Sequence, residues 1–192
     1  MTAAGPALDA AVAHDAGGLA LTPAEIAQAS RTLVANAICA PDGDALFLPG
    51  LRSVTSDVVV PSPEDPVRPD EVLDRVAVTL QTRDLDALPL AEARPHPAAA
   101  RFPGAVPADA PRVARTIAVP AAAEGWISTG TYAAPGDVIA VRLPDAAADG
   151  RLALQIGSHT DRLWGVSDPW RRMPDIVRRW PLRAAETRVF SP

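Results

Sequence analysis

Six prolines fall within residues 89–111, and they divide the chain into two stretches with different hydrophobic periods. Proline has no amide donor and holds φ near −65°, so this density excludes a regular helix or a central strand. Before the proline run, apolar residues recur at helical spacing. Beyond it they alternate with small or polar ones. A chain of 192 residues divided this way holds one domain of ordinary size, or a small domain behind a helical lead-in.

The first stretch opens with residues 1–21, which have small side chains, Gly17-Gly18 and no usable periodicity, and read as a flexible start. Residues 22–88 read as a small helical or mixed segment. Thr22-Pro23-Ala24-Glu25 is a helix start, with Thr as N-cap, Pro at the first helical position and Glu at the third. Ile26, Ser30, Leu33 and Ala37 then form one stripe, flanked by Val34 and Ile38. Pro41-Asp42-Gly43-Asp44 ends that helix. It lacks the further ligands and closing Glu of a calcium loop, so it reads as a turn. Val58–Val60 reads as a short strand, and the prolines at 61, 63, 66 and 69 as an extended connector. Asp70 can cap a second helix to about Gln81, with Val72, Leu73, Val76 and Leu80 on one side. Strand alternation at Val76, Val78 and Leu80 stays open as the alternative.

The proline run at 89–111 reads as a linker, followed by a module at 112–192. There the period is two: Val113, Ile117 and Val119; Ile139, Val141 and Leu143; Leu152, Leu154 and Ile156. Half-buried strands alternate in this way because successive side chains point to opposite faces. Ala134-Pro135-Gly136-Asp137 and Ala148-Asp149-Gly150 supply turns. Several strands punctuated by turns predict a β-sandwich. One helical piece interrupts them: Asp168 caps, Pro169 follows, and Trp170, Met173, Val177 and Trp180 share a stripe. Pro174 is expected to kink or split it.

Composition narrows the function. The net charge is −5, yet residues 112–192 hold 11 Arg against 8 acids. Nucleic-acid binders show a stronger excess and a recognisable motif, so no nucleic-acid partner is expected. No apolar stretch approaches the roughly 20 residues that span a bilayer, so no membrane partner is expected either. Cys39 stands alone, so no intrachain disulfide forms. The first twenty residues lack the charged start and apolar run of a signal peptide.

A hydrolytic zinc site commonly needs two His one helical turn apart with an adjacent Glu to activate the bound water. His14, His96 and His159 are tens of residues apart, so this chain is expected to hold no catalytic residue, metal or cofactor site of its own. Ser128, Thr129 and Ser158 lack a nucleophile elbow. His159-Thr160-Asp161 is the densest polar cluster, either a strand-end hydrogen-bond network or part of a ligand cleft. All four Trp and Tyr132 lie beyond residue 125. Trp170 and Trp180 have core-like spacing, whereas Trp126 and Trp164 stand beside Gly125 and Gly165 as surface candidates. The candidate ligand-binding residues are thus Trp126, His159, Asp161 and Trp164.

An ordered set of residues runs through the last third of the chain: Trp126, Thr129-Gly130, Tyr132-Ala133, Pro135-Gly136, Gly157, His159-Thr160-Asp161, Trp170, Pro181-Leu182 and Ser191-Pro192. From about Phe102 to Pro192 this order resembles the entry half of the enhancin-like zinc metallopeptidases, peptidase family M-60, bacterial and viral enzymes associated with mucin-type glycoproteins. Ser158 departs from the Cys often found in that family, and Thr131 from the usual Leu. Both affect packing more than chemistry.

The resemblance implies a fold that is mainly β in the C-terminal half, as a partial β-sandwich, preceded by a helical and proline-rich lead-in, and α+β overall. It also implies a function: a non-catalytic N-terminal portion of a zinc metallopeptidase acting on glycosylated, mucin-like proteins, with zinc in the parent enzyme and an extracellular location for that parent. Its partners would be a glycoprotein or glycan and the catalytic part, since the family's His-Glu-x-x-His lies further along than this pattern. Relatives follow the Ser-Pro with a Gly-Gly-containing strand, so the sandwich is expected to lack a strand here and the isolated chain to be poorly soluble or marginally stable. The alternatives are a standalone glycan- or protein-binding module and an inactive gene fragment.

Overall fold

The capping box at Thr22 forms as the sequence predicts. The Thr22 amide and hydroxyl donate to Glu25 Oε2 at 2.8 and 2.7 Å, and the Glu25 amide donates to Thr22 Oγ1 at 3.4 Å. In this computed structural model, which describes residues 4–39, 53, 58–120, 124–157, 162–166, 168–174 and 177–192, that box opens helix α2, Pro23–Cys39. Ile26, Ser30, Leu33 and Ala37 are all buried along it. The turn expected at Pro41-Asp42-Gly43-Asp44 lies outside the described residues.

Helix α1 spans Ala4–Asp15, within the start where no period is readable. Its signal lies in its end. Gly17 takes φ +72°, the Gly17 amide donates to His14 O, and the Gly18 amide donates to Ala13 O at 2.8 Å. These are the two hydrogen bonds of a Schellman cap, which needs a left-handed residue that glycine adopts without steric cost. Helix α3 spans Val72–Asp86, so the helical reading of that stretch holds and the strand alternative does not. Glu71, one residue beyond the predicted cap, precedes it; its carboxylate takes the Arg68 amide at 2.6 Å. Ala11, Ile26, Leu33, Ala37, Val72, Val76 and Leu80 form the core between the three helices.

The C-terminal part folds into two antiparallel ribbons, giving an α+β chain. Strand β1, Val138–Arg142, pairs with β4, Glu186–Phe190, in the register Val138↔Phe190 to Arg142↔Glu186. Strand β2, Ala153–Ile156, pairs with β3, Arg178–Pro181, from Ala153↔Pro181 to Ile156↔Arg178. The predicted alternations around Ile139 and Leu154 are therefore strands. The turn at Ala134–Asp137 closes with the Asp137 amide on Ala134 O at 3.0 Å.

Three local expectations are corrected. Val113–Val119 forms no strand; it has the alternation but no ladder partner among the described residues, and all its residues are exposed. Val58–Val60 forms none either. Instead the Gln81 carboxamide receives the Val59 amide at 3.1 Å and donates to Val59 O at 2.9 Å. Finally, the described residues of 168–180 contain no helical turn. The Trp170 and Val67 backbones exchange both hydrogen bonds, at 2.9 and 3.0 Å, which requires extended backbone, and Trp180 belongs to β3. Pro174 supplies no amide to a helix there.

Trp170 and Met173 are nevertheless core residues, as their spacing suggests. With Val34, Val67, Val78 and Ala98 they form a second buried cluster, so the segment around Trp170 packs on α2 and α3. The proline run joins the same body. Pro97–Ala100 is a short 3₁₀ turn that contributes Ala98 to that core.

Candidate functional site

The sequence singles out four ligand-binding candidates, and the structure sets two of them in different surroundings. Trp126 follows Gly125, whose φ of +90° turns the chain just before it. The indole is 65% exposed, and the Arg179 guanidinium of β3 lies 5.4 Å from its ring centroid. Arg179 thereby adds donors beside an apolar face. Tyr132, further along the same arm, is also exposed, and partial desolvation pushes its phenol above the usual range. Between them the Thr129 and Thr131 hydroxyls lie 2.7 Å apart.

Trp164 is half-buried and meets Trp170 edge-on, with centroids 5.6 Å apart and planes at 86°. This is the favoured T-shaped arrangement of aromatic quadrupoles. It borders a cavity of about 20 Å³ with Ser30, Arg31, Arg75 and Val166, which is room for a single water molecule. His159 and Asp161 lie outside the described residues.

Sequence reasoning missed the most organised polar group, Arg75. It is buried on α3 at 4% exposure. Nε donates to Arg68 O at 3.0 Å, one Nη to Val166 O at 3.0 Å and the other to Asp168 O at 2.8 Å. Its guanidinium carbon sits 4.4 Å from the Trp170 ring centroid. Burial lowers its pKa from the ordinary arginine value, while Asp70 and Glu71 act in the opposite sense. The planar five-donor fork suits this task, since it can address separate carbonyls and still stack on a ring. Nothing in the periodicity marks it except an Arg set among Val72, Val76 and Thr79 on a face that packs.

His96 is the second missed group. It is buried, and its Nδ1 accepts the Ala98 amide at 3.0 Å, capping the 3₁₀ turn. That bond places the proton of the neutral ring on Nε2, which is buried and has no hydrogen-bond partner among the described residues. Burial first, and Arg178 second, hold its pKa down to about 4. His14 is far from such a setting, with Nδ1 3.0 Å from Leu19 O at the end of α1. Among the described residues, no group of three or more His, Cys, Asp or Glu could hold a metal ion. None of the described helices is long and apolar enough to cross a membrane.

Residues 108–192 match the family model for the N-terminal domain of M60-like peptidases. Over 54 residues, or 28% of this chain, the sequence is 44% identical to TRPM8 channel-associated factor 1 of Homo sapiens, and equally to the proteins of that name in Bos taurus and Pongo abelii. That stretch spans 6% of the length of those relatives. No solved structure matches the chain.

Proposed function

We propose that this chain is the non-catalytic N-terminal portion of an enhancin-like zinc metallopeptidase that acts on glycosylated, mucin-like proteins. The observation that carries this reading is the match of residues 108–192 to the N-terminal domain of M60-like peptidases. Zinc in the parent's His-Glu-x-x-His segment would supply the activated water. In this chain the helices and the buried Trp170 anchor the module, and the two ribbons belong to a β-sandwich that borders the peptidase core. Trp126 is offered to substrate from the arm before β1.

The test is zinc-dependent mucin cleavage, measured for this chain and for a polypeptide in which a His-Glu-x-x-His peptidase segment follows Pro192. Cleavage by the longer polypeptide and none by this chain is the expected result. Stoichiometric zinc binding with mucin cleavage by this chain alone would overturn the proposal.

One observation favours a second reading, a glycan-binding module that works without a peptidase. Trp126 is 65% exposed with Arg179 beside its ring. An indole face can stack on the C–H face of a sugar while a guanidinium donates to its hydroxyls. Glycan binding by this chain that disappears in Trp126→Ala, with no cleavage by the longer polypeptide, would select that reading.

A further inference from the structure

Residues 111–120 run from Pro111 to Pro120 with every side chain exposed and with no helix, strand, turn or bend. Among the described residues, none of their backbone groups takes part in a backbone–backbone hydrogen bond; the preceding one is Ala110 N–H to Pro107 O. None of them has positive φ. The segment is thus an open run whose amides and carbonyls have no backbone partner among the described residues.

Its two arginines differ. Arg112 donates to Ala110 O at 2.8 Å and lies 2.6 Å from the Asp137 carboxylate. Arg115 makes no hydrogen bond or ion pair with any described residue.

The structure on either side of this run is tied together without it. Trp170 pairs with Val67 and sits in the core with Val34 and Val78. Arg75 holds the carbonyls of Val166 and Asp168. Arg178 of β3 pairs with Asp86 of α3. The turn at Gly136 lies against Pro95, so that a Cβ there would come within 2.8 Å of Pro95 Cδ. Apart from the Arg112–Asp137 pair, each of these ties joins residues before 111 to residues after 120.

Endoproteases take a substrate as an extended strand, using its main-chain hydrogen bonds for affinity and side-chain pockets for choice. A serine endoprotease with a carboxylate in its primary pocket selects arginine. Exposed segments free of structure are where such nicking concentrates. Arginines held in strands, such as Arg142 and Arg188, or buried on a helix, such as Arg75, do not meet that requirement.

We propose that residues 111–120 form a processing segment, cut after Arg115 by an arginine-directed serine endoprotease, and that the two pieces remain one folded body. Water adds across the Arg115–Thr116 bond. The C–N bond breaks, Arg115 gains a carboxylate, and the amine of Thr116 takes up a proton. The shared core around Trp170 then holds residues 1–115 and 116–192 together.

Limited digestion of the whole chain with trypsin in native buffer tests this. Mass spectrometry locates the first cut, and size exclusion follows the nicked product. The expected result is a first cut after Arg115 and fragments that co-elute at the size of the intact chain, separating only in denaturant. Arg115→Gln should slow that first cleavage by about tenfold or more while leaving the unfolding midpoint unchanged. A first cut at any other residue, an undiminished rate in Arg115→Gln, or fragments that elute separately in native buffer overturns the proposal.

Discussion

The Arg75 guanidinium lies 4.4 Å from the ring centroid of Trp170 while donating to the carbonyls of Val166 and Asp168, on the segment that leads into that tryptophan. The arginine comes from α3 and the tryptophan from a segment about ninety residues further on, so the pair fastens the C-terminal part to the helices. Trp170→Ala should cost about 3–5 kcal/mol, the range for truncating a buried large aromatic. Arg75→Lys keeps the charge but replaces a planar fork with a point charge, and should cost about 1–2 kcal/mol from the hydrogen bonds it no longer makes to the Arg68, Val166 and Asp168 carbonyls. Urea unfolding followed by tryptophan fluorescence measures both. A loss below about 1 kcal/mol in Trp170→Ala would contradict the proposed anchor.

Gly136 predicts a second sharp penalty. It sits at φ +82°, where a side chain is strained, and an added Cβ would meet Pro95 Cδ at 2.8 Å and Pro95 N at 3.0 Å. Its amide also donates to Ser191 O at 2.7 Å. Gly136→Ala combines left-handed strain of about 1–2 kcal/mol with displacement of the proline run. Total destabilisation of about 2–4 kcal/mol is expected in the same unfolding assay, against less than about 0.5 kcal/mol for an exposed substitution such as Ala114→Ser.

What was readable in the sequence divides along local and non-local lines. The α2 cap, its buried stripe and the strands around Ile139 and Leu154 follow from neighbours along the chain, and local rules predict them. The segment at 168–180 carries a helical stripe, yet its conformation is decided by Val67, about a hundred residues away, whose backbone pairs with Trp170. Val113–Val119 shows the converse: alternation describes which faces a strand would have but does not provide a partner. Val59 finds a side chain, Gln81, where a strand would be expected. Of the candidate site, the exposed Trp126 was legible because a glycine turn precedes it. Arg75 and His96 were not, since an isolated polar residue on a packing face has the same sequence appearance whether or not distant carbonyls await it.

Burial of His96 makes stability depend on pH. In the folded chain its pKa is lowered from 6.5 to about 4, by burial first and Arg178 second. The unfolded state therefore binds a proton at a higher pH than the folded state. The stability this group contributes is fully present above about pH 6.5 and is lost as pH falls from there toward 4. At 1.36 kcal/mol per pH unit the full effect is roughly 3 kcal/mol. His96→Gln should flatten that part of the profile, because Gln does not titrate. Urea midpoints at intervals from pH 7.5 to 4 compare the two proteins, and parallel curves would show that His96 does not govern the slope.

Trp126 tests whether the exposed aromatic serves binding without serving the fold. At 65% exposure its truncation removes little buried area, so Trp126→Ala should shift stability by no more than about 1 kcal/mol. Its contact is with Arg179, 5.4 Å from the ring centroid, an exposed cation–π pair worth only about 0.5–1 kcal/mol at most. If this face receives glycan, the same substitution should weaken binding to immobilised mucin by about tenfold, the loss expected for an interfacial Trp anchor. Arg179→Ala should give a smaller loss, because it removes donors and leaves the stacking face. Mucin binding that is equal in the wild type and Trp126→Ala, with both chains equally folded, would remove this tryptophan from any recognition role and leave it as surface.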